Sequence, residues 1–210
     1  MAISYPVSVP SVGGIREIRF RMLDAVGVSE SPYTFAQETY EHAGKRWAID
    51  VQLAPMERAD AEEWIAFLAS LQGRNKTFLL GDPVGASPRG SIAGSPSPVV
   101  NGNSQTGQVL NIKLCPPSVA NYLRKGDWIQ LGSGASAHLH KCLSDVTTTG
   151  AGLAALDLWP GPRVGAAPAD GDPITTDNTQ GVWRLAANER GWDVSVAPVF
   201  GLSFSAVEAL

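Results

Sequence analysis

From Arg46 to Leu53 every second residue is large and apolar: Trp47, Ile49, Val51 and Leu53 alternate with Arg46, Ala48, Asp50 and Gln52. Successive side chains of a strand point to opposite faces, so this segment reads as a half-buried strand. Residues 15–23 alternate more loosely, Ile18, Phe20 and Met22 against Glu17, Arg19 and Arg21. After the interruption at Ser31-Pro32, residues 33–40 return to a β-rich composition, and Glu41-His42-Ala43-Gly44 reads as a turn. Two such runs joined by a short Gly-containing loop predict a hairpin over residues 33–53. The end of the chain has the same style. Segments 182–186, 191–196 and 201–208 each read as a strand, the last with Leu202, Phe204 and Ala206 opposite Ser203, Ser205 and Val207.

One stretch changes period. Ala61, Trp64, Ile65, Leu68 and Leu71 recur at helical spacing, with Glu57, Asp60, Glu62 and Glu63 ahead of or among them. The spacing predicts a helix over residues 57–72, its acidic start suited to the helix dipole and Gly73 placed for a left-handed cap. Residues 76–80 read as a further strand, stopped by Gly81-Asp82-Pro83.

The pattern then shifts. Residues 84–98 hold three Gly, three Pro and four Ser, the composition of a linker. No Glu occurs between Ile92 and Gly181, where every acid is Asp. Asp favours turns and Glu favours helices, so this stretch should be nearly free of helix. Candidate strands 108–114, 127–131, 137–143 and 154–159 are separated by Asn101-Gly102, Gly132-Ser133-Gly134 and Thr149-Gly150. Short strands at such spacing suggest a small barrel of the OB or SH3 type. A second Pro- and Gly-rich loop, residues 160–173, leads out of it. Three terminal strands alone cannot bury a sheet, so they should complete the sheet begun by the first 80 residues. The expected fold is mainly β: a β-sandwich with one packed helix, formed by residues 1–92 and 180–210 with helix 57–72, plus an inserted small OB-like β-barrel over residues 93–179.

Composition narrows the function. Charged residues are only 17% of the chain, below the usual quarter, which suits short strands and loops rather than solvated helices. The net charge of −4 argues against a protein that grips nucleic-acid phosphates. No apolar run approaches the ~20 residues of a membrane span, and the opening MAISYPVSVP lacks a charged-then-apolar leader. Two cysteines, Cys115 and Cys142, are too few for a disulfide scaffold, and the expectation is a chain folded in a reducing cytosol.

Candidate chemistry is sparse. His138 and His140, two apart on one strand, point to the same face and could form half a metal site, with Cys142 two residues further. No further ligand stands at metal spacing, so the preferred reading puts both histidines on the solvent face with Leu139 inward, and both cysteines in the core. No nucleophile elbow, P-loop or H-E-x-x-H is present. Glu62-Glu63 fits a solvated helix face. Asp127-Trp128 resembles the rim of a barrel strand that could stack a sugar or base. The tryptophans, six in all, are spread over the whole chain, which favours core or interface roles. No catalytic residue, cofactor site or metal site is assigned, and the chain is not expected to be an enzyme.

Short signatures along the chain resemble the distal tail proteins of tailed, siphophage-type bacteriophages. They are Tyr5-Pro6-Val7-Ser8-Val9-Pro10, Gly13-Gly14, Ser31-Pro32-Tyr33-Thr34-Phe35, Arg46-Trp47, Phe78-Leu79-Leu80-Gly81-Asp82-Pro83 and Phe204-Ser205-Ala206-Val207-Glu208-Ala209-Leu210. The resemblance implies a virion structural protein of the tail tip, assembled in the host cytoplasm. It implies a homo-hexameric ring that joins the tail tube protein to the baseplate hub or tail-tip protein and lets DNA pass through its lumen. Neither sequence-specific nucleic-acid binding nor membrane contact is implied. Six copies would carry about −24, and an acidic lumen would repel DNA. The expected subunit contacts are Tyr33, Phe35, Glu38, Tyr40, Lys45 and Arg46, because a ring closes strand edges that would otherwise aggregate. The competing reading is a carbohydrate-binding module in a tail or cell-surface protein, using Trp128 or Trp159.

Overall fold

The computed structural model describes residues 3–12, 14–92, 97–194 and 199–210. Among the described residues the chain is mainly β with one α-helix. Its strands are β1 (Val7–Ser8), β2 (Ile15–Leu23), β3 (Val26–Glu30), β4 (Gln37–Glu41), β5 (Arg46–Leu53), β6 (Thr77–Leu80), β7 (Val99–Val100), β8 (Val109–Lys113), β9 (Trp128–Leu131), β10 (His138–Cys142), β11 (Ala154–Trp159), β12 (Ile174–Thr175), β13 (Gly181–Leu185), β14 (Trp192–Val194) and β15 (Phe200–Glu208); the helix α1 is Arg58–Ser70.

Seven strands form one sheet in the order β1-β6-β13-β15-β5-β2, with β14 paired to the start of β15. The alternation in β5 and β15 decides its two faces. Trp47, Ile49, Val51 and Leu53 of β5 and Leu202, Phe204 and Ala206 of β15 share one buried cluster. Asp50, Ser203 and Ser205 look the other way, where Arg21 and Ser205 both hydrogen-bond Asp50. Helix α1 covers part of the apolar face through Trp64, Phe67, Leu68 and Leu71, the residue that follows its last turn. Trp64 stacks near Phe204 and Phe67 packs edge-on to Phe78, so each ring removes large apolar area from water. Ile65, expected among the packed positions, is only partly buried, and Phe67 takes the deeper place. The helix ends as the pattern predicts, with Gln72 and Gly73 both at positive φ.

Between β6 and β13 the chain forms a six-stranded sheet, β12-β9-β10-β11-β8-β7. It is nearly closed: Val99 bridges Pro173, Val100 N–H donates to Asp172 O at 3.0 Å and Ile174 N–H to Pro98 O at 3.1 Å. This is a barrel consistent with the OB type. Leu110, Ile112, Tyr122, Ile129, Leu156 and Leu158 fill its interior. The linker is strapped to the barrel by Asp127, whose buried carboxylate accepts from the backbone N–H groups of Arg89, Gly90 and Arg124 and from Arg89 Nε. Where the chain leaves and re-enters the sheet the two passes touch: a Cβ on Gly81 would lie 1.9 Å from the Thr179 carbonyl oxygen.

The barrel wall packs on the apolar face of the seven-stranded sheet, so two β layers lie face to face. Trp128, Leu139 and Trp159 project outward from β9, β10 and β11 into the cluster around Trp47. Trp47 meets Trp159 at 4.5 Å and Trp128 at 4.9 Å between ring centroids. Its indole N–H donates to Leu139 O.

The predicted hairpin over 33–53 is not formed as such. Strand β4 pairs with β3, while β5 pairs with β2 and β15. The reversal is at residues 31–36, where Pro32 follows Ser31, the Ser31 hydroxyl accepts from the N–H groups of Tyr33 and Thr34, and Phe35 takes a left-handed φ of 55°. Pro is favoured early in such turns, so Ser31-Pro32 marks the fold-back rather than a break between strands. Residues 41–44 are a step within one arm of a long ribbon, where His42 N–H still donates to Ala25 O.

Candidate functional site

The β3–β4 ribbon leaves the body of the molecule at the ends of β2 and β5. Its register runs without a slip from Val26↔Glu41 to Glu30↔Gln37. Every residue of β4 is exposed, and in β3 only Gly27 is partly covered. Two strands with no covered face are marginal on their own. At the tip Tyr33 is 92% exposed and Phe35 73%, and Val26, Val28 and Tyr40 are exposed behind them. Exposed apolar residues collected on one projection are a mark of an interaction surface. The arm is also acidic: Asp24, Glu30, Glu38 and Glu41 lie in residues 22–44 with no Lys or Arg.

The structure places all six expected contact residues on or at the root of this ribbon. Tyr33 and Phe35 form the tip. Glu38 and Tyr40 share a face of β4, joined by a hydrogen bond from the Tyr40 hydroxyl to Glu38 at 2.7 Å. Lys45 is paired with Glu41, four residues away. Arg46 begins β5 opposite Leu23. Val26 and Val28 are exposed on the opposite face of the ribbon, beside Glu41 and Thr39, and were not anticipated, although their alternation with Gly27 and Ser29 was readable in the sequence.

The barrel clamps the root of the arm. Trp159 Nε1 donates to Asp24 Oδ1 at 3.0 Å, and Arg163 donates to the Lys45 carbonyl. Arg163 also donates to Glu208 at 3.1 Å, and the same buried carboxylate accepts from Trp47 N–H and lies 3.3 Å from His138 Nδ1. Burial pushes the Glu208 carboxyl up, but the His138 hydrogen bond, the Arg163 charge and the Trp47 N–H outweigh it and hold it below its ordinary 4.5. Next to this node, burial pulls His140 down to about 4, against the opposing hydrogen bond to the Pro160 carbonyl.

These positions correct the reading of the histidines. They do not line a solvent face: His140 is buried and His138 is half-buried against Glu208. Among the described residues no group of three His, Cys, Asp or Glu is placed to hold a metal ion. Cys115 and Cys142 are free and buried, as expected. Trp128 is no stacking platform. It is 3% exposed, hydrogen-bonded to Asp82 at 2.9 Å and covered by Lys141, whose Nζ lies 3.8 Å from the ring centroid. Trp159 is partly buried against Trp47. No protein-family model matches the chain, and no curated protein matches it in sequence.

Proposed function

We propose that the protein is a structural ring subunit of a phage tail tip, of the distal-tail type, and that the β3–β4 arm makes the contact between neighbours. The observation that carries this reading is the arm itself. A projecting ribbon with Tyr33, Phe35, Val28 and Tyr40 exposed gains from a partner what its own chain does not supply. A repeated contact between identical chains closes into a ring when its rotation permits. The signature segments that resemble distal tail proteins supply the hexameric stoichiometry and the place between the tail tube protein and the tip hub. The role is structural rather than catalytic. The open face of the seven-stranded sheet carries Glu17, Arg19, Arg21, Asp50 and Arg184, a mixed set, so acidic repulsion of DNA in a lumen has to come from other surfaces.

Light scattering coupled to size-exclusion chromatography tests the reading. A mass near six times 22.1 kDa, or its appearance on adding the tube protein, supports it. A monomer under all conditions, with or without glycan binding, overturns it.

A further inference from the structure

The segment that leaves β11 ties the barrel to both sides of the arm's root. Trp159 Nε1 donates to Asp24, and Arg163 donates to the Lys45 carbonyl and to Glu208 of β15. Gly107 N–H donates to the Pro162 carbonyl at 3.1 Å, and a Cβ on Gly161 would lie 1.9 Å from the Gly107 carbonyl oxygen. The backbone of the segment is therefore held on the barrel, and the Arg163 side chain, 22% exposed, is the part free to leave. Next to it, His140 of β10 donates Nδ1–H to the Pro160 carbonyl. A carbonyl oxygen only accepts, so Nδ1 carries the proton of the neutral ring and a second proton goes to Nε2.

The closed node has no place for that second proton. The titratable and charged groups around His140 are Glu208 of β15, His138 of its own strand and Arg163 of the segment after β11. The Glu208 charge favours a protonated ring, whereas His138 and Arg163 oppose it. Glu208 is already engaged: Oε2 accepts from Trp47 N–H and from Arg163, and Oε1 lies against His138 Nδ1. The cavity between His138, His140 and Glu208 and the residues Pro162, Arg163 and Ala166 measures about 10 Å³, room for a single water molecule. Burial is what keeps the ring neutral, so a charged ring needs water that only an opening of this cover admits. Arg163 is both that cover and a cation beside the new charge.

We infer that Arg163 is an acid-released latch on the arm: a proton taken up by His140 drives the guanidinium out of the node, and with it goes the hold on the Lys45 carbonyl. The sign follows from linkage. Closed, His140 stays neutral down to about 4; hydrated, it returns to its ordinary 6.5, so the closed state is favoured in full above 6.5 and loses ground as pH falls toward 4. Between pH 7 and pH 5 the ratio of open to closed should rise about twentyfold. The latch goes beyond the ring reading and does not depend on it; where the arm makes the ring contact, acid loosens that contact as well.

The test is amide hydrogen exchange of the full chain at pH 7 and pH 5, corrected for the chemical rate at each pH. In the native chain the protection of residues 37–45 should fall by up to about twentyfold and should not respond to low urea, the mark of a local opening. His140→Asn keeps a donor for the Pro160 carbonyl and takes up no proton, so its arm should be equally protected at both pH values. His42, on the arm itself, is common to both chains, and the comparison isolates His140. Arg163→Met leaves the ring in place and removes the latch, so its arm should be loose already at pH 7 and gain little in acid. The same fall in His140→Asn, an arm as protected in Arg163→Met as in the native chain, or a urea-dependent fall shared with the barrel strands overturns the latch. A chain that light scattering shows to be monomeric at pH 7 overturns the ring and leaves the latch to the exchange result.

Discussion

Trp159, at the end of β11 in the barrel wall, hydrogen-bonds Asp24, one of the two residues between β2 and the projecting β3, across 135 positions of sequence. The barrel thereby fixes the direction in which the arm leaves the sheet. Arg163 acts on the other strand of the arm by holding the Lys45 carbonyl. The inserted barrel is thus tied to the surface on which the proposed assembly depends, though no barrel residue lies on the arm.

Removing that tie should loosen the arm without unfolding the body. Asp24→Ala loses one hydrogen bond at an exposed site, worth about 1 kcal/mol or less. The melting temperature should change little, whereas amide exchange in residues 25–42 should speed up. Exchange that rises equally in the barrel would show that the contact is part of global stability instead.

Acid should destabilise the protein first through His140. Unfolded, this histidine takes up a proton near its ordinary 6.5; folded, it stays neutral down to about 4. A depressed folded value means that the stabilisation is complete above 6.5 and is lost as pH falls toward 4. By linkage the loss between pH 7 and pH 5 is about 2 kcal/mol. Glu208, held below 4.5, adds its own loss only at still lower pH. Urea unfolding at pH 7 and pH 5 should show this drop in the native chain and a much smaller one in His140→Asn, whose amide nitrogen stands where Nδ1 does and retains a donor for the Pro160 carbonyl.

The elements with strict periodicity were the legible ones. Strand β11 falls where residues 154–159 alternate, and β5, β15 and α1 lie within one or two residues of their patterns. Pairing was less legible, because it depends on which run meets which. Ser31-Pro32 and the Gly44 region both carry turn residues, and only the continuous ladder through Ala25 and His42 shows that the first is the reversal. The polar nodes were illegible for a different reason. Apart from Arg124 beside Asp127, the partners of Asp127, His140 and Glu208 lie from 20 to 161 positions away, and no local pattern announces a buried charge whose donors are that distant.

Glu208→Ala should be among the most damaging single changes outside the apolar core. It leaves Arg163 and the Trp47 N–H without their shared acceptor at a site that is 3% exposed. Breaking a buried ion pair from one side costs about 3–5 kcal/mol. Glu62→Ala, which removes only an exposed ion pair with Arg58, should cost under about 1 kcal/mol. Similar losses at the two positions in urea would mean that the Glu208 node contributes nothing special.

Leu68→Ala tests the helix in the same way. Leu68 is buried against the sheet, so truncation should cost about 2–5 kcal/mol. A loss as small as that of Glu62→Ala would remove α1 from the core.

The last prediction concerns the crossing of the two connections between sheet and barrel. Gly81 does not have a left-handed φ, so its need for glycine is one of space: the Thr179 carbonyl oxygen occupies the position 1.9 Å from where a Cβ would stand, and the Thr179 carbonyl carbon is 3.1 Å away. Both obstacles are backbone, and neither can rotate aside as a side chain would. Gly81→Ala must therefore push apart the segments that enter and leave the barrel, disturbing the adjoining pair Leu80↔Gly181. Overpacking of this kind costs about 1–3 kcal/mol or more. Gly165 is the control, because a Cβ there meets nothing within 4 Å. Gly165→Ala should be neutral, or stabilising by up to about 1 kcal/mol through the unfolded chain. Thermal melts of the two variants should differ clearly in sign or size; equal midpoints would mean that the two connections do not pass in contact.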